Sequence, residues 1–256
     1  MCDTPAIELR DDRRIVHLTI DRPPLNILDI TTMRSLTENL VALATRRDVT
    51  ALVIEARGKV FSAGVDIPEH RRETVNEMLA VVSELFRTLH SLTMPTICVV
   101  HGDALGGGME LAITCDVIIA AETARFGLPE ITLGVFPPVA VACLHHLIGQ
   151  THAADLILTG RLVSASEGYS MGMVSRVTAP TDLDRQAAEC AEQFRGLSAF
   201  SLRQTKAAMR LMSTAAFEAS LEKAIGIYRD HLLAGNDPHE GIEAFIEKRS
   251  PIWTDR

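Results

Sequence analysis

The apolar positions of this chain fall into short continuous runs that alternate with stretches of helical spacing. Ile7-Glu8-Leu9 alternates, Asp11-Asp12 punctuates, and an apolar-rich run from Ile15 to Ile20 follows, so residues 6–20 read as a β-hairpin. Asp21-Arg22-Pro23-Pro24 ends it. Met33, Leu36, Leu40 and Leu43 recur at helical spacing and predict a helix over about 32–46, with Thr31 as its cap. Ala51-Leu52-Val53-Ile54, Thr96 to Val100 and Asp116 to Ala121 are apolar runs of strand length. Residues 72–92 read as a long helix, and Gly106 to Gly108 open another with Leu111 and Ala112 on its apolar face. Buried strands joined by helices predict parallel pairing with helices over the sheet, an α/β fold. From about residue 183 the pattern is wholly helical, with turns at Gly196, at Gly235-Asn236-Asp237-Pro238 and at Ser250-Pro251. The expected organisation is a core over 1–182 and an appended helical region over 183–256.

Composition narrows the partners. Of 256 residues, 47% are apolar, enough for a sizeable core, and only eleven are aromatic, too few for a base-stacking platform. The net charge of −8 argues against nucleic acid and against an anionic membrane as main partner. A phosphorylated ligand remains compatible, since it needs only a few local cations. Cys2, Cys98, Cys115, Cys143 and Cys190 are odd in number and contain no C-x-x-C pair, and three of them sit in apolar runs. Reduced thiols in a cytoplasmic protein are expected. Neither a signal peptide nor a membrane span is apparent.

Two glycine-containing constellations carry the candidate chemistry. Phe61-Ser62-Ala63-Gly64-Val65-Asp66 follows a buried strand with residues small enough for a sharp turn. Gly106-Gly107-Gly108-Met109-Glu110 sits at a strand-to-helix junction, where unpaired N–H groups carry the positive end of the helix dipole. It reads either as a tight turn or as a site for an anion or a developing oxyanion. The dinucleotide spacing G-x-G-x-x-G is absent, and no Lys-Ser or Lys-Thr follows as in a phosphate loop. Glu110 in the first helical turn and Glu130 in Gly127-Leu128-Pro129-Glu130-Ile131 are each, alone, a dipole partner or a surface charge. Converging on one apolar pocket, they would form a general acid and a general base. His145-His146 has no metal-site pattern around it, so no metal is expected. Ser62 and Cys115 lack a nucleophile elbow.

These segments together resemble the enoyl-CoA hydratase/isomerase, or crotonase, superfamily almost end to end. The resemblance is carried by Asp21-Arg22-Pro23 with Leu25-Asn26, by Phe61 to Asp66, by His101 to Ala112, and by Cys115-Asp116. It continues through Phe126 to Glu130, Leu133-Gly134, Leu158-Thr159-Gly160, Gly172-Met173-Val174 and Phe245 to Arg249. It implies a crotonase-like spiral of ββα turns with a C-terminal helical trimerisation region, assembled as a homo-trimer or hexamer. It implies an acyl-CoA thioester substrate, with coenzyme A as part of the substrate and no separate cofactor. By the same resemblance, the thioester oxygen lies between the backbone N–H groups of Val65 and Gly107. Glu110 and Glu130 match the two glutamates of true hydratases, Glu110 as base and Glu130 as proton donor. Leu25, Ala63, Asp66, Ile67, Gly106, Phe136, Pro137 and Lys248 are the implied substrate-binding positions.

The pattern departs from ordinary hydratases twice. Val135-Phe136-Pro137-Pro138-Val139-Ala140 stands where a glycine-rich run is usual, and prolines there should reshape the acyl pocket. In this it is similar to cyclohexa-1,5-diene-1-carbonyl-CoA hydratases. Pro68 stands where many relatives carry a lysine near the nucleotide phosphates, leaving Arg57, Lys59 or Lys248 as candidate replacements. The resemblance therefore points to an enoyl-CoA hydratase, with a double-bond isomerase or a non-catalytic scaffold as the alternatives.

Overall fold

A computed structural model describes residues 6–210 and 213–255; Cys2 lies outside them. The hairpin forms as β1 (Ile7–Asp12) and β2 (Ile15–Ile20). It is followed by α1 (Ile30–Thr45), β3 (Ala51–Ala56), α2 (Val75–Ser91) and β4 (Thr96–Val100). Next come the two-residue β5 (Ala104–Leu105), α3 (Gly107–Ile113), β6 (Val117–Ala121) and β7 (Arg125–Gly127). The chain continues through α4 (Pro138–Thr159), β8 (Leu162–Ser164), α5 (Ala165–Ser170) and β9 (Arg176–Thr178). It closes with α6 (Leu183–Arg195), α7 (Ala199–Met209), α8 (Ser213–Asp230) and α9 (Asp237–Ile246).

The main sheet has the order β1-β2-β3-β4-β6-β9, antiparallel only at β1–β2, and a smaller sheet has the order β5-β7-β8. The continuous apolar runs have a direct cause: both sheet faces are buried, and successive residues serve opposite faces. Val16, Leu52, Ile54, Cys98, Val100, Ile118 and Ala120 join the large core with the apolar faces of α1 and α2. Their neighbours Ile15, Ala51, Val53, Ile97, Val99, Ile119 and Ala121 face the other way, against Leu183, Ala187, Cys190 and Ala191 of α6. The expected boundary at 182/183 thus falls just before a helix that covers the sheet.

One cap differs from expectation. Thr31 lies inside α1, and Asp29 caps it, its carboxylate accepting the Thr32 N–H at 2.8 Å. Extended backbone at Asp29 aims its side chain back at the free amides, which is the geometry of an N-cap. The long helix α2 starts at Val75, three residues later than expected, because the preceding residues are taken up by short turns.

The C-terminal helices fold back onto their own chain. Lys206 and Arg210 hold Asp116 at 2.5 and 2.6 Å, and Asp116 also accepts the Thr96 N–H. Arg203 reaches the carbonyls of Arg46 and Val49. α8 packs against α4 and α2.

Candidate active site

The first glycine constellation is pinned beside the second by backbone bonds. Phe61 and Ser62 N–H both donate to Asp103 C=O, and Leu105 N–H donates to Ser62 C=O. The buried Asn26 fastens the same loop, donating from Nδ2 to the carbonyls of Arg57 and Val60 at 2.7 and 2.9 Å. That gives the Leu25-Asn26 pair a structural reason. Ser62 Oγ donates to Asn26 C=O and accepts the Gly64 N–H, so it is a clamp.

This clamp leaves two amides side by side. Leu28 N–H spends itself on Gly64 C=O, so Val65's own N–H takes no part in that bond. Gly107 opens α3, where an N–H has no helical partner. The two groups are close: a Cβ on Gly107 would sit 3.4 Å from the Val65 nitrogen and 2.8 Å from its Cγ2. Gly106, the N-cap, has φ +52°, and a Cβ there would sit 2.7 Å from Glu130 Oε1. Glycine is needed here both for conformation and for the approach of a carboxylate.

Glu110, in the first turn of α3, is 2% exposed. Its Oε1 accepts the N–H groups of Val139 and Ala140, both at 2.9 Å. Pro138 is the first residue of α4, so these are the next two free amides of that helix. A proline is well suited to that position, since its missing N–H would have had no partner. Burial raises the Glu110 pKa, and the two amide bonds oppose the rise. Glu130, in a short 3-10 turn from Pro129 to Leu133, keeps some residue surface in solvent, yet its Oε2 is buried without a partner among the described residues. Burial raises its pKa, the charge of Glu110 adds to the rise, and only its own backbone N–H opposes. The two glutamates therefore sit in unlike settings: both are raised by burial, but only Glu110 has two helix amides that favour its charged form.

Both glutamates line one cavity of about 70 Å³, against the roughly 10–15 Å³ that one water needs. Ala63, Gly64, Val65, Ile67 and Gly106 form one side, and Met78, Leu79 and Val82 of α2 another. Leu133, Val135, Phe136 and Pro138 close it towards α4.

Comparison with known proteins decides the family. A family model described as Enoyl-CoA hydratase/isomerase matches residues 10–256. The chain belongs to the enoyl-CoA hydratase/isomerase family. It is 41% identical to a probable enoyl-CoA hydratase of Mycobacterium bovis, over 98% of each chain. It is 35% identical to the cyclohexa-1,5-dienecarbonyl-CoA hydratase of Thauera aromatica, over 97% of this chain and 96% of that one. An enoyl-CoA hydratase structure from Mycobacterium avium subsp. paratuberculosis superposes with a TM-score of 0.89 at 25% identity, covering 98% of this chain and 99% of the other. The architecture is the crotonase-type α/β fold of that family.

Within this family fold, the residues expected at the site separate into two groups. Ala63, Val65, Ile67, Gly106, Glu110, Glu130 and Phe136 line the cavity, and Gly107 adjoins it through Val65. Leu25 is exposed and Pro137 buried, and neither lines it. Asp66 acts through its backbone, its carbonyl accepting from Glu69 N–H and from His70 Nδ1. Lys248 is exposed and away from the cavity wall, and Arg57 is paired with Glu8 and Asp21. The His145 and His146 rings meet at a tilt on α4, centroids 3.9 Å apart, and no cluster of three metal-binding side chains occurs among the described residues. No helix among them is long and apolar enough to cross a membrane.

Two polar cavity residues were not apparent in the sequence, His70 and Tyr228. His70 Nδ1 is held by Asp66 C=O at 3.0 Å, and burial lowers the ring's pKa, which favours its neutral form. Tyr228 comes from α8, is 1% exposed, and meets Phe136 edge-on at 5.1 Å. Its hydroxyl has no hydrogen-bond partner among the described residues. Aromatic residues are few in this chain, and a lone tyrosine in an otherwise apolar helical stripe was the available signal.

Proposed function

We propose that this protein is an enoyl-CoA hydratase, a hydro-lyase that adds water across the double bond conjugated to an acyl-CoA thioester. The observation that carries the reading is the pair of buried glutamates in unlike settings on one cavity. The names of the relatives agree with it.

In this reading the thioester oxygen accepts the N–H groups of Val65 and Gly107. Negative charge develops on that oxygen as hydroxide adds to the β-carbon, so fixed donors lower the barrier; losing one typically costs about 3–4 kcal/mol. Glu110, ionised on the α4 amides, takes a proton from the water as its oxygen bonds the β-carbon. Glu130, protonated, gives its proton to the α-carbon. Dehydration reverses both transfers. Coenzyme A is carried by the substrate, and the scheme requires no other cofactor or metal.

The acyl group we assign is a compact cyclic dienoyl. The Phe136 and Pro138 wall of the cavity and the likeness to the Thauera protein support this. We also assign the enzyme to a cytoplasmic homo-trimer or hexamer. Exposed Leu197, Phe200, Met209, Phe245 and Ile252 on the C-terminal region support the assembly, and light scattering on the purified protein tests it.

Purified protein incubated with enoyl-CoA esters tests the chemistry. A hydratase gives a product heavier by one water, whereas an isomerase leaves the mass unchanged. The cyclic dienoyl ester should turn over much faster than crotonyl-CoA, and the reverse ranking overturns the acyl assignment. No product with any ester, in a folded protein that binds acyl-CoA, would leave a scaffold.

A further inference from the structure

The cavity presents four polar side chains, His70, Glu110, Glu130 and Tyr228, and all the others that line it are apolar. Three of the four have an assigned use. His70 donates from Nδ1 to Asp66 C=O, so its other ring nitrogen carries no proton in the neutral form. Glu110 and Glu130 are the acid–base pair. Tyr228 remains, with a buried hydroxyl and no partner. Leaving a buried hydroxyl unpaired is unfavourable, so a polar group that enters the cavity would be drawn to it.

The reacting water has four positions to fill. Its two protons face the two carboxyl groups, and one lone pair must aim at the β-carbon. The second lone pair needs a donor. The start of α4 cannot supply one: Pro138 has no N–H, and the Val139 and Ala140 amides are both spent on Glu110 Oε1. We propose that Tyr228 is a third catalytic residue, its phenolic O–H donating to the reacting water and fixing it between Glu110 and Glu130. This rests on the hydratase reading above.

The phenol is suited to that task. Burial raises its pKa, and the charges of Glu130 and Glu110 raise it further, so it keeps its proton throughout turnover. Its side chain lines the same cavity as both carboxyl groups. Its ring is braced edge-on by Phe136, so the departure from the usual sequence that supplies Pro138 also supplies the support for Tyr228.

Tyr228→Phe in the full chain tests the proposal, because it removes one oxygen and preserves the ring. Hydration rates and the binding of a saturated acyl-CoA are measured side by side. The expected result is a kcat lower by about tenfold or more for every enoyl ester, with KM and saturated-ester binding within about threefold. Melting temperature should hold or rise, since the lost hydroxyl had no partner. An unchanged kcat overturns the proposal. So does a loss confined to esters with an oxygen on the acyl group, which would make the phenol a reader of substrate, and so does a rise in KM alone. If the wild type hydrates no ester, the hydratase reading fails and the proposal with it. If the wild type turns over and the variant matches it, the proposal alone fails.

Discussion

Glu110 Oε1 accepts the Ala140 N–H at 2.9 Å, so the carboxylate assigned as base also closes the amino end of α4. The same oxygen takes the Val139 N–H. This bond has consequences for pH. Burial raises Glu110, but the helix amides hold it below Glu130, which has burial and the Glu110 charge acting together. In the proposed scheme the active form has Glu110 ionised and Glu130 protonated. Acidification protonates Glu110 and stops the reaction, while alkali removes the Glu130 proton and stops it too. A plot of log kcat/KM against pH should be bell-shaped. Its acid limb should lie above the ordinary carboxylate range and its alkaline limb higher still. The two limbs belong to the pair as a unit. An acid limb in the normal range for exposed carboxylates would contradict the buried settings.

Glu130→Gln separates activity from stability. Removing the proton donor should lower kcat by roughly 10²–10⁴-fold. The fold should gain. Well below the ordinary carboxylate value, folded and unfolded chains both hold this proton. As pH rises, the unfolded chain releases it first and the folded chain retains it, so this carboxyl's stabilising contribution is lost as pH passes through its raised folded value. Glutamine does not titrate and escapes that loss. Thermal melts should therefore show the variant gaining on the wild type between pH 5 and pH 8, by roughly 3 °C for each kcal/mol relieved. An equal difference at both pH values would deny the raised pKa.

Asp116 and Lys206 tie the C-terminal helices to the main sheet. Burial alone would raise the Asp116 carboxyl, but Lys206 and Arg210 outweigh it and hold it below its ordinary value. Its contribution to stability is thus present above the ordinary carboxylate value and lost as pH falls through the lowered folded value. Asp116→Asn leaves the nearly buried Lys206 ammonium without its counter-charge. With the carboxylate itself partly exposed, the cost should be about 2–3 kcal/mol, below the range for fully buried pairs. At neutral pH this is a fall of roughly 5–10 °C in melting temperature. The penalty should shrink in acid. Circular-dichroism melts at pH 7 and at about pH 2, below the ordinary carboxylate value, check both statements.

Much of this was legible in the sequence, for physical reasons that also mark where legibility ended. Strands β3, β4 and β6 were visible because both sheet faces are buried, which leaves no polar residue to interrupt the apolar runs. The glycines at 106 and 107 stood out because only glycine tolerates a carboxylate and a valine that close. The strands β5, β7 and β8 were hidden, since two or three residues carry no periodicity. The position of α6 was hidden too, because an amphipathic helix does not state which sheet face it covers. Pro137-Pro138 was visible as an oddity. Its meaning, a helix start whose next two amides hold Glu110, needed the fold. Tyr228 reaches the cavity only through the packing of α8 on α4 and α2, a long-range contact that local pattern does not encode.

Gly107 offers the most direct test of the assigned oxyanion site. An added methyl would meet Val65 Cγ2 at 2.8 Å and stand 3.4 Å from the Val65 nitrogen. The 2.8 Å contact is too close to keep, so Val65 must shift, and the methyl would stand beside the space between the two amides. Each donor is useful only where the developing oxyanion will be, and a displaced donor loses most of its effect in the transition state. Gly107→Ala should reduce kcat by about 10²–10³-fold, the range seen when one such donor is removed. Gly196→Ala is the matched control: it has open space around it and an ordinary φ of −80°, and it should leave kcat unchanged. Melting temperatures of both variants show whether the loss is local. A Gly107→Ala enzyme that folds and keeps wild-type kcat would remove Val65 and Gly107 from the assignment and leave the glutamate pair to stand alone.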